Sequence, residues 1–179
     1  MQFRTVDHAA WVSLFGECRQ EAFHLEVRDS YAVPHESERL RRFLNGEPPP
    51  RDPGTPWQAL VRETTGRGVS MSRVRVVTVP HSDYQRWLLS VTHHNVEAGE
   101  DIRYIPRHQA GETPQDDWWL MDENRVVYNL VDSHGKPAGL AITTDPGLVE
   151  YCSFVKYRLW QTAIPYGEYF NEPENLSEQ

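Results

Sequence analysis

The stretch RVRVVTVPHSDYQRWLLSVTHHNVEAGEDIRYIPR, residues 73–107, contains a strand, a helix and a second strand in close succession. Its first part is rich in β-branched valines, which favour extended structure. Pro80 stops that strand, and Ser82 is a typical N-cap for the helix that follows. Gly99 ends the helix before the second strand begins. A β-α-β unit of this kind predicts an α/β domain with a mixed, twisted sheet flanked by helices.

Three helices and a strand are predicted before this unit. The stretch DHAAWVSLFGECRQEA carries apolar side chains at helical spacing, with Asp7 as the N-cap. In FHLEVRDSYAV, apolar and polar residues alternate from Phe23 to Arg28, which predicts a strand with one face in water. HESERLRRFLNGE predicts a helix that ends at Asn45-Gly46, and WQALVRETTG predicts another helix after a proline-rich connector.

Three further extended runs follow the unit: DWWLMDE, RVVYNLVD and PAGLAITT. The last two are separated by residues 133–136, which predict a hairpin turn. Asp145 and Pro146 then open a long amphipathic helix. With the three earlier runs, the sheet is expected to have about six strands.

One domain is expected over residues 1–170, because the sequence contains no internal repeat and no convincing second domain. Residues 1–56 are predicted to form an N-terminal elaboration and residues 57–170 the sheet body. The acidic segment 171–179 is expected to be frayed.

Composition excludes several classes of protein. Eighteen basic and 26 acidic residues give a formal net charge of −8, which disfavours direct binding to nucleic acid. Cys18 and Cys152 match neither a zinc site nor a disulfide framework and are expected to be buried. No apolar run has the length of a signal or membrane segment, so we expect a cytoplasmic protein without membrane contact. No glycine-rich phosphate loop is present, and no cofactor is expected.

One candidate ligand site follows the helix of the β-α-β unit. Glu97, Glu100 and Arg103 could form a polar pocket with Tyr84, whose ring offers apolar contact and whose hydroxyl offers a hydrogen bond. The alternative is structural. Gly99 would be a left-handed C-cap, Glu100 and Arg103 an ion pair, and Glu97 a solvated residue in the last turn.

A second polar cluster lies on the early strand. Glu26 and Arg28 are candidate ligand contacts, with Asp29 and Tyr31 close by in sequence. The alternative is that Glu26 and its neighbours pair with the arginines of ESERLRR and brace one face of the sheet.

Histidines offer little support for a metal site or a catalytic base. His93 and His94 diverge by about 100° on a helix, which prevents them from easily gripping one metal, and no metal is expected. Next to His81, Ser82 and Asp83 are ideal residues for a helix start, which explains the triplet without catalysis.

Several phrases together resemble one actinobacterial family of unknown function. They are FHLEVRDSY, FLNGEP, RVRVVTVPHSDYQRW, NVEAGEDIRYIPR, DWWLMDENRVVYNLVD and TDPGLVEYCSFVKYRLWQTAIPYGEY. Genes of this family often lie beside XRE-type helix-turn-helix regulators. The resemblance spans nearly the whole chain and implies a regulatory neighbourhood rather than a reaction.

The order of elements also resembles the phospholipase D-like fold. Enzymes of that class use a His-x-Lys-x4-Asp motif, in which His attacks phosphorus, Lys binds phosphate oxygens and Asp supports catalysis. If Asp122 is the motif's Asp, the His and Lys positions fall on Gln115 and Asp117. The resemblance therefore implies a half-domain of this fold without its catalytic residues.

The favoured hypothesis is a non-enzymatic regulatory or binding protein whose acidic surface meets a basic partner, a helix-turn-helix regulator. Two alternatives stay open: a sensor that holds a small molecule in the pocket, and a small hydrolase or transferase that uses Tyr84, Glu97, Glu100 and Arg103 with a histidine such as His81. A homodimer through exposed aromatic side chains is a further alternative for the oligomeric state.

Overall fold

The computed structural model describes residues 1–31, 34–48 and 54–171, which contain both helices and strands. The strands are β1 (Gln2–Arg4), β2 (Glu21–Glu26), β3 (Ser70–Val77), β4 (Asp101–Pro106), β5 (Trp118–Met121), β6 (Arg125–Val131), β7 (Pro137–Thr143) and β8 (Ile164–Pro165). The helices are α1 (His8–Glu17), α2 (Pro34–Leu44), α3 (Pro56–Gly66), α4 (Asp83–Val91), α5 (His93–Glu97), α6 (Pro146–Thr162) and α7 (Tyr166–Phe170).

The strands form one open sheet in the order β1-β7-β6-β5-β2-β3-β4-β8. β2, β3 and β4 run parallel to one another, and the other neighbours pair antiparallel. The expected mixed sheet flanked by helices is confirmed. It has two more strands than expected, because β1 and β8 contain only 3 and 2 residues and carry no periodic signal.

The β-α-β unit is present, with α4 and α5 between β3 and β4. Ser82 caps α4 as expected, since its hydroxyl accepts from the backbone N–H of Gln85 at 3.2 Å. The one helix expected here is two, with Thr92 between them. Gly99 ends α5 with a φ of 113°, and a Cβ there would lie 2.9 Å from Oγ1 of Thr65. Only glycine fits that turn without displacement.

Helices cover both faces of the sheet. On one face, α6 contributes Cys152 to an apolar cluster in which Phe23, Leu25 and Val74 come from the central strands. On the other face, α1 and α3 cover a cluster around Leu14 and Met71, while α4 and α7 cover a smaller one around Leu89 and Tyr104. Cys18 and Cys152 are both buried, as expected.

Two strands of the N-terminal segment join the sheet: β2 lies between β5 and β3, and β1 forms one edge. The expected division into an elaboration of residues 1–56 and a sheet body of residues 57–170 stays a prediction. Except for Asn171, the segment expected to be a frayed tail lies outside the described residues.

Candidate functional site

A charged group lies buried under the helices on the face opposite α6. We call Glu26, Arg73, Arg75 and Glu100 the buried charge cluster. Glu26 on β2 is paired in register with Arg75 on β3. Arg73 is 6%, Arg75 4% and Glu100 1% exposed. The expectation that this face of β2 is in water was wrong, because His24 beside Glu26 is also buried, at 5% exposure.

Two carboxylates hold two guanidinium groups in this cluster. Glu26 accepts hydrogen bonds from both Arg73 and Arg75. Oε1 of Glu100 accepts from Nε of Arg73 at 2.6 Å. Glu26 therefore pairs with arginines of the neighbouring strand and not with those of α2. The structural alternative predicted an ion pair between Glu100 and Arg103. In the structure Glu100 pairs with Arg73 instead.

Electrostatics favour the ionised form of Glu26. Burial by itself would raise the pKa of Glu26, but the charges of Arg73 and Arg75 outweigh it and hold that pKa well below its usual range. Burial and the charge of Arg73 lower the pKa of His24, so its imidazole is neutral at pH 7. Two cations and two anions thus balance inside the domain.

The pocket expected around Glu97 and Arg103 does not assemble. The Glu97 side chain is 70% exposed, and its carboxylate lies 3.9 Å from Nδ1 of His94. Arg103 faces the opposite side of the sheet, where its guanidinium lies 3.7 Å from the ring centroid of Trp160 on α6. Glu100 faces Arg73, so the three residues point to three different environments.

Tyr84 and Arg28 lie near the end of β2 and bind other partners. The Tyr84 hydroxyl donates to Glu36 at 2.7 Å, and Nη2 of Arg28 donates to Asp116 at 3.1 Å. Of the six residues named as candidate ligand contacts, the structure brings only Glu26 and Glu100 together, through Arg73. Ligand binding at any of the six stays a prediction.

The carboxyl ends of the parallel strands are fastened by Asp29. Its carboxylate accepts from the backbone N–H of Thr78 at 2.8 Å, from the Thr78 hydroxyl at 2.7 Å and from Arg107 at 3.2 Å. Arg107 also donates to the carbonyl of Val27 at 2.6 Å. Ligands favour this edge in many α/β proteins, but these groups already satisfy one another.

Asp117 occupies the lysine position of the His-x-Lys-x4-Asp motif when Asp122 is taken as the motif's aspartate, and it is buried and hydrogen-bonded. Its carboxylate accepts from the backbone N–H of Val27 at 2.8 Å and from the Tyr31 hydroxyl at 2.6 Å. Burial, followed by the charge of Glu26, raises the pKa of Asp117 to about 6. An acidic group in this place repels phosphate rather than binding it.

Asp122 holds the turn that leads into β2. Its side chain accepts from the backbone N–H groups of Arg19 at 2.9 Å, Gln20 at 2.7 Å and Glu21 at 3.1 Å. Its own φ of 50° lies in the left-handed region. These bonds give the residue a structural role.

Replacing Asp122 with alanine is expected to lower the free energy of unfolding by about 2 kcal/mol, because three backbone donors lose their acceptor and alanine is strained at a positive φ. Asp122→Asn should cost clearly less, since asparagine keeps an acceptor and tolerates this conformation. Urea unfolding of both variants measures the difference. Equal losses would contradict the role assigned to the turn.

Neither a metal cluster nor a membrane span is found in the ranges that the structure describes. No three His, Cys, Asp or Glu side chains there are placed to hold a metal ion. In the same ranges no helix combines the length and apolarity needed to cross a bilayer.

Sequence comparison identifies the family. The model of a domain of unknown function, DUF6879, matches residues 9–171. The chain belongs to the DUF6879 family. No curated protein matches the sequence of this DUF6879 chain.

Two solved structures resemble the DUF6879 chain in backbone. One is Nuc from Salmonella typhimurium, a phospholipase D family member, with 12% identity, a TM-score of 0.53 and coverage of 89% of this chain and 90% of Nuc. This likeness shows a phospholipase D-like fold. The other is TrmBL2, an archaeal chromatin protein with a novel mode of DNA binding, at 10% identity and a TM-score of 0.49. The match covers 87% of this chain and 49% of TrmBL2.

Proposed function

We propose that the protein is a non-enzymatic regulatory protein that binds a helix-turn-helix transcription regulator through the outer face of α6. One observation carries this proposal. Tyr151, Phe154 and Tyr157 are 46%, 62% and 69% exposed. We call these three residues the aromatic row.

The aromatic row follows from the geometry of α6. Its members are three residues apart, so they share one side of the helix. The other side, with Cys152, Val155 and Leu159, is buried against the sheet. Contiguous exposed apolar surface on a folded protein commonly marks a site of protein contact, and aromatic residues are enriched in such contacts.

Charge points to a basic partner. The chain has a formal net charge of −8. The cations next to the row are engaged within the protein: Lys156 pairs with Glu21 and Glu123, and Arg158 donates to the carbonyls of Ala110 and Glu112. Helix-turn-helix regulators carry positive charge for DNA, which suits a binding protein of net negative charge that exposes an aromatic row.

Loss of enzymatic groups supports a binding role. Asp117 stands where the phospholipase D motif has its lysine, and Asp122 stands where it has its aspartate. Asp117 accepts hydrogen bonds from the backbone and from Tyr31, and Asp122 accepts hydrogen bonds from the backbone. At the sheet edge, Asp29 and Arg107 hold each other. A binding function needs none of these groups to be available.

The test measures binding to an XRE-type helix-turn-helix regulator, of the kind expected beside the gene, by calorimetry at low ionic strength. Phe154→Ala combined with Tyr157→Ala is expected to weaken binding at least about tenfold, as loss of interface aromatic residues does. Binding of the unaltered protein should also weaken as salt rises. Phe3→Ala is the matched control, since Phe3 on β1 is 71% exposed and outside α6, and should leave affinity unchanged.

Two results would overturn the proposal. One is the absence of binding at micromolar concentrations and low salt. The other is a dimer of the protein itself that Phe154→Ala and Tyr157→Ala dissociate, because the aromatic row would then be the contact between two copies.

A further inference from the structure

Exposed carboxylates accompany the aromatic row on α6. Glu150 is exposed, and no ion pair joins it to another residue of the described ranges. It lies four residues before Phe154 and seven before Tyr157, a spacing that puts all three side chains on one side of the helix. A negative charge without a counter-ion therefore lies on the same surface as the aromatic rings.

Further carboxylates line the two flanks of α6. Lys156 and Arg158 are two residues apart, so they project about 200° apart around the helix axis. On one flank, the Lys156 ammonium pairs with Glu21 and with Glu123. On the other, Nη2 of Arg158 donates to the backbone carbonyl of Glu112 at 2.5 Å, so this exposed residue lies beside the helix. Three carboxylates thus accompany two cations, and both cations are already bound within the protein.

Aromatic rings and carboxylates together suit the guanidinium group of arginine. Its plane stacks on an aromatic face, while its N–H groups donate to carboxylate oxygens. The protein uses this combination itself, since the Arg103 guanidinium lies 3.7 Å from the ring centroid of Trp160 on α6 and 3.5 Å from the carboxylate of Asp101. The compact, strongly hydrated ammonium of lysine gains less from a ring. The outer face of α6 is therefore expected to prefer arginine.

Arginine side chains are concentrated on one surface of a helix-turn-helix regulator. They bind phosphate oxygens along the DNA backbone, and they make the commonest specific contact to a base, with guanine in the major groove. The surface of such a regulator that matches the outer face of α6 in chemistry is thus the surface that contacts DNA.

We propose that the outer face of α6 binds arginine side chains on the DNA-contacting surface of the regulator, so that this protein and DNA compete for it. The inference rests on the proposed function, because it takes the regulator as the partner and adds which of its surfaces is bound. Its consequence is regulatory: a rising concentration of the protein releases the regulator from DNA.

A competition experiment tests whether the surface is shared. The regulator is bound to a fluorescent duplex of its operator, and the full chain is added while the anisotropy of the duplex is followed. The anisotropy is expected to fall to that of the free duplex. Phe154→Ala combined with Tyr157→Ala should raise the concentration needed for half release at least about tenfold. The protein alone should leave the anisotropy of the duplex unchanged.

Two peptides test the preference for arginine without the regulator. Hexa-arginine and hexa-lysine carry the same side-chain charge, and calorimetry measures their binding to the full chain at one ionic strength. Hexa-arginine is expected to bind at least about fivefold more tightly. Glu150→Gln should weaken its binding about threefold. Glu63→Gln is the matched control, because it removes an exposed carboxylate from α3 on the other face of the sheet, and it should leave binding unchanged.

The outcomes separate this inference from the proposed function. If the regulator does not bind the protein, both are wrong. If the protein joins the regulator on the duplex and raises the anisotropy further, the regulator is a partner but its DNA-contacting surface stays free, and only this inference is wrong. Equal affinities for the two peptides, equal effects of Glu150→Gln and Glu63→Gln, or binding of the duplex by the protein itself would also overturn it.

Discussion

Glu26→Gln is expected to lower the free energy of unfolding by about 3 to 5 kcal/mol, the cost of leaving buried charge without its partner. Glu26 is the carboxylate that Arg73 and Arg75 share, and both arginines are almost fully buried. After the change, Arg73 keeps the carboxylate of Glu100, whereas the side-chain partners left to Arg75 among the described residues are the hydroxyls of Thr92 and Tyr104. Glutamine keeps the size of the side chain, so the loss measures charge rather than packing.

Urea unfolding at pH 7 measures the loss, with Glu97→Gln as the control. Glu97 is on α5 and its side chain is 70% exposed, so that variant should change stability by less than about 0.5 kcal/mol. The pKa of Glu26 is lowered by folding, so its contribution is present above its unfolded pKa of about 4.3 and is lost in stronger acid. Similar losses for the two variants would contradict the buried charge cluster.

Asp117→Asn is expected to stabilise the protein at pH 7 by about 2 to 3 kcal/mol. Folding raises the pKa of Asp117 to about 6, mainly through burial and then through the charge of Glu26. The folded protein therefore favours the protonated acid, and ionisation at neutral pH costs stability. Asparagine is uncharged and can still accept from the backbone N–H of Val27.

The sign of the pH dependence tests this assignment. The stabilising contribution of Asp117 is full below an unfolded pKa of about 3.9 and is lost as pH rises through about 6. The advantage of Asp117→Asn should thus be small at pH 4 and complete at pH 7. In a Glu26→Gln background it should shrink, because one cause of the raised pKa is gone. If the difference in stability between Asp117→Asn and the unaltered protein did not change with pH, the raised pKa assigned to Asp117 would be wrong.

The strands and helices of the middle of the chain could be predicted because their signals are local. Ser82, Gly99 and Asp145 each cap a helix through contacts within a few residues. β1 and β8 could not be predicted, since each depends on the exposed edge of a strand that lies far away in sequence. A run of two or three residues has no periodicity of its own.

The prediction that one face of β2 lies in water failed, because buried arginines and not water surround the Glu26 carboxylate. The alternation in FHLEV predicts a strand with two unlike faces, but it does not distinguish a face in water from one against Arg73 and Arg75. The same alternation in RVRVV places both arginines on one side. Only the register between β2 and β3 brings Glu26 to them. Two arginines in a valine-rich strand were the available signal for a buried charged face.

The central position of β2 has a consequence for synthesis on the ribosome. β2 ends at residue 26, and its parallel neighbour β3 and the next strand β4 are complete by residue 106, whereas its other neighbour, β5, begins at residue 118. A nascent chain can therefore pair β2, β3 and β4 while the opposite edge of β2 still has open N–H and C=O groups. Such an edge attracts other extended chains. Until Trp118–Met121 emerges from the exit tunnel, the strand that becomes the middle of the sheet is the growing protein's exposed margin.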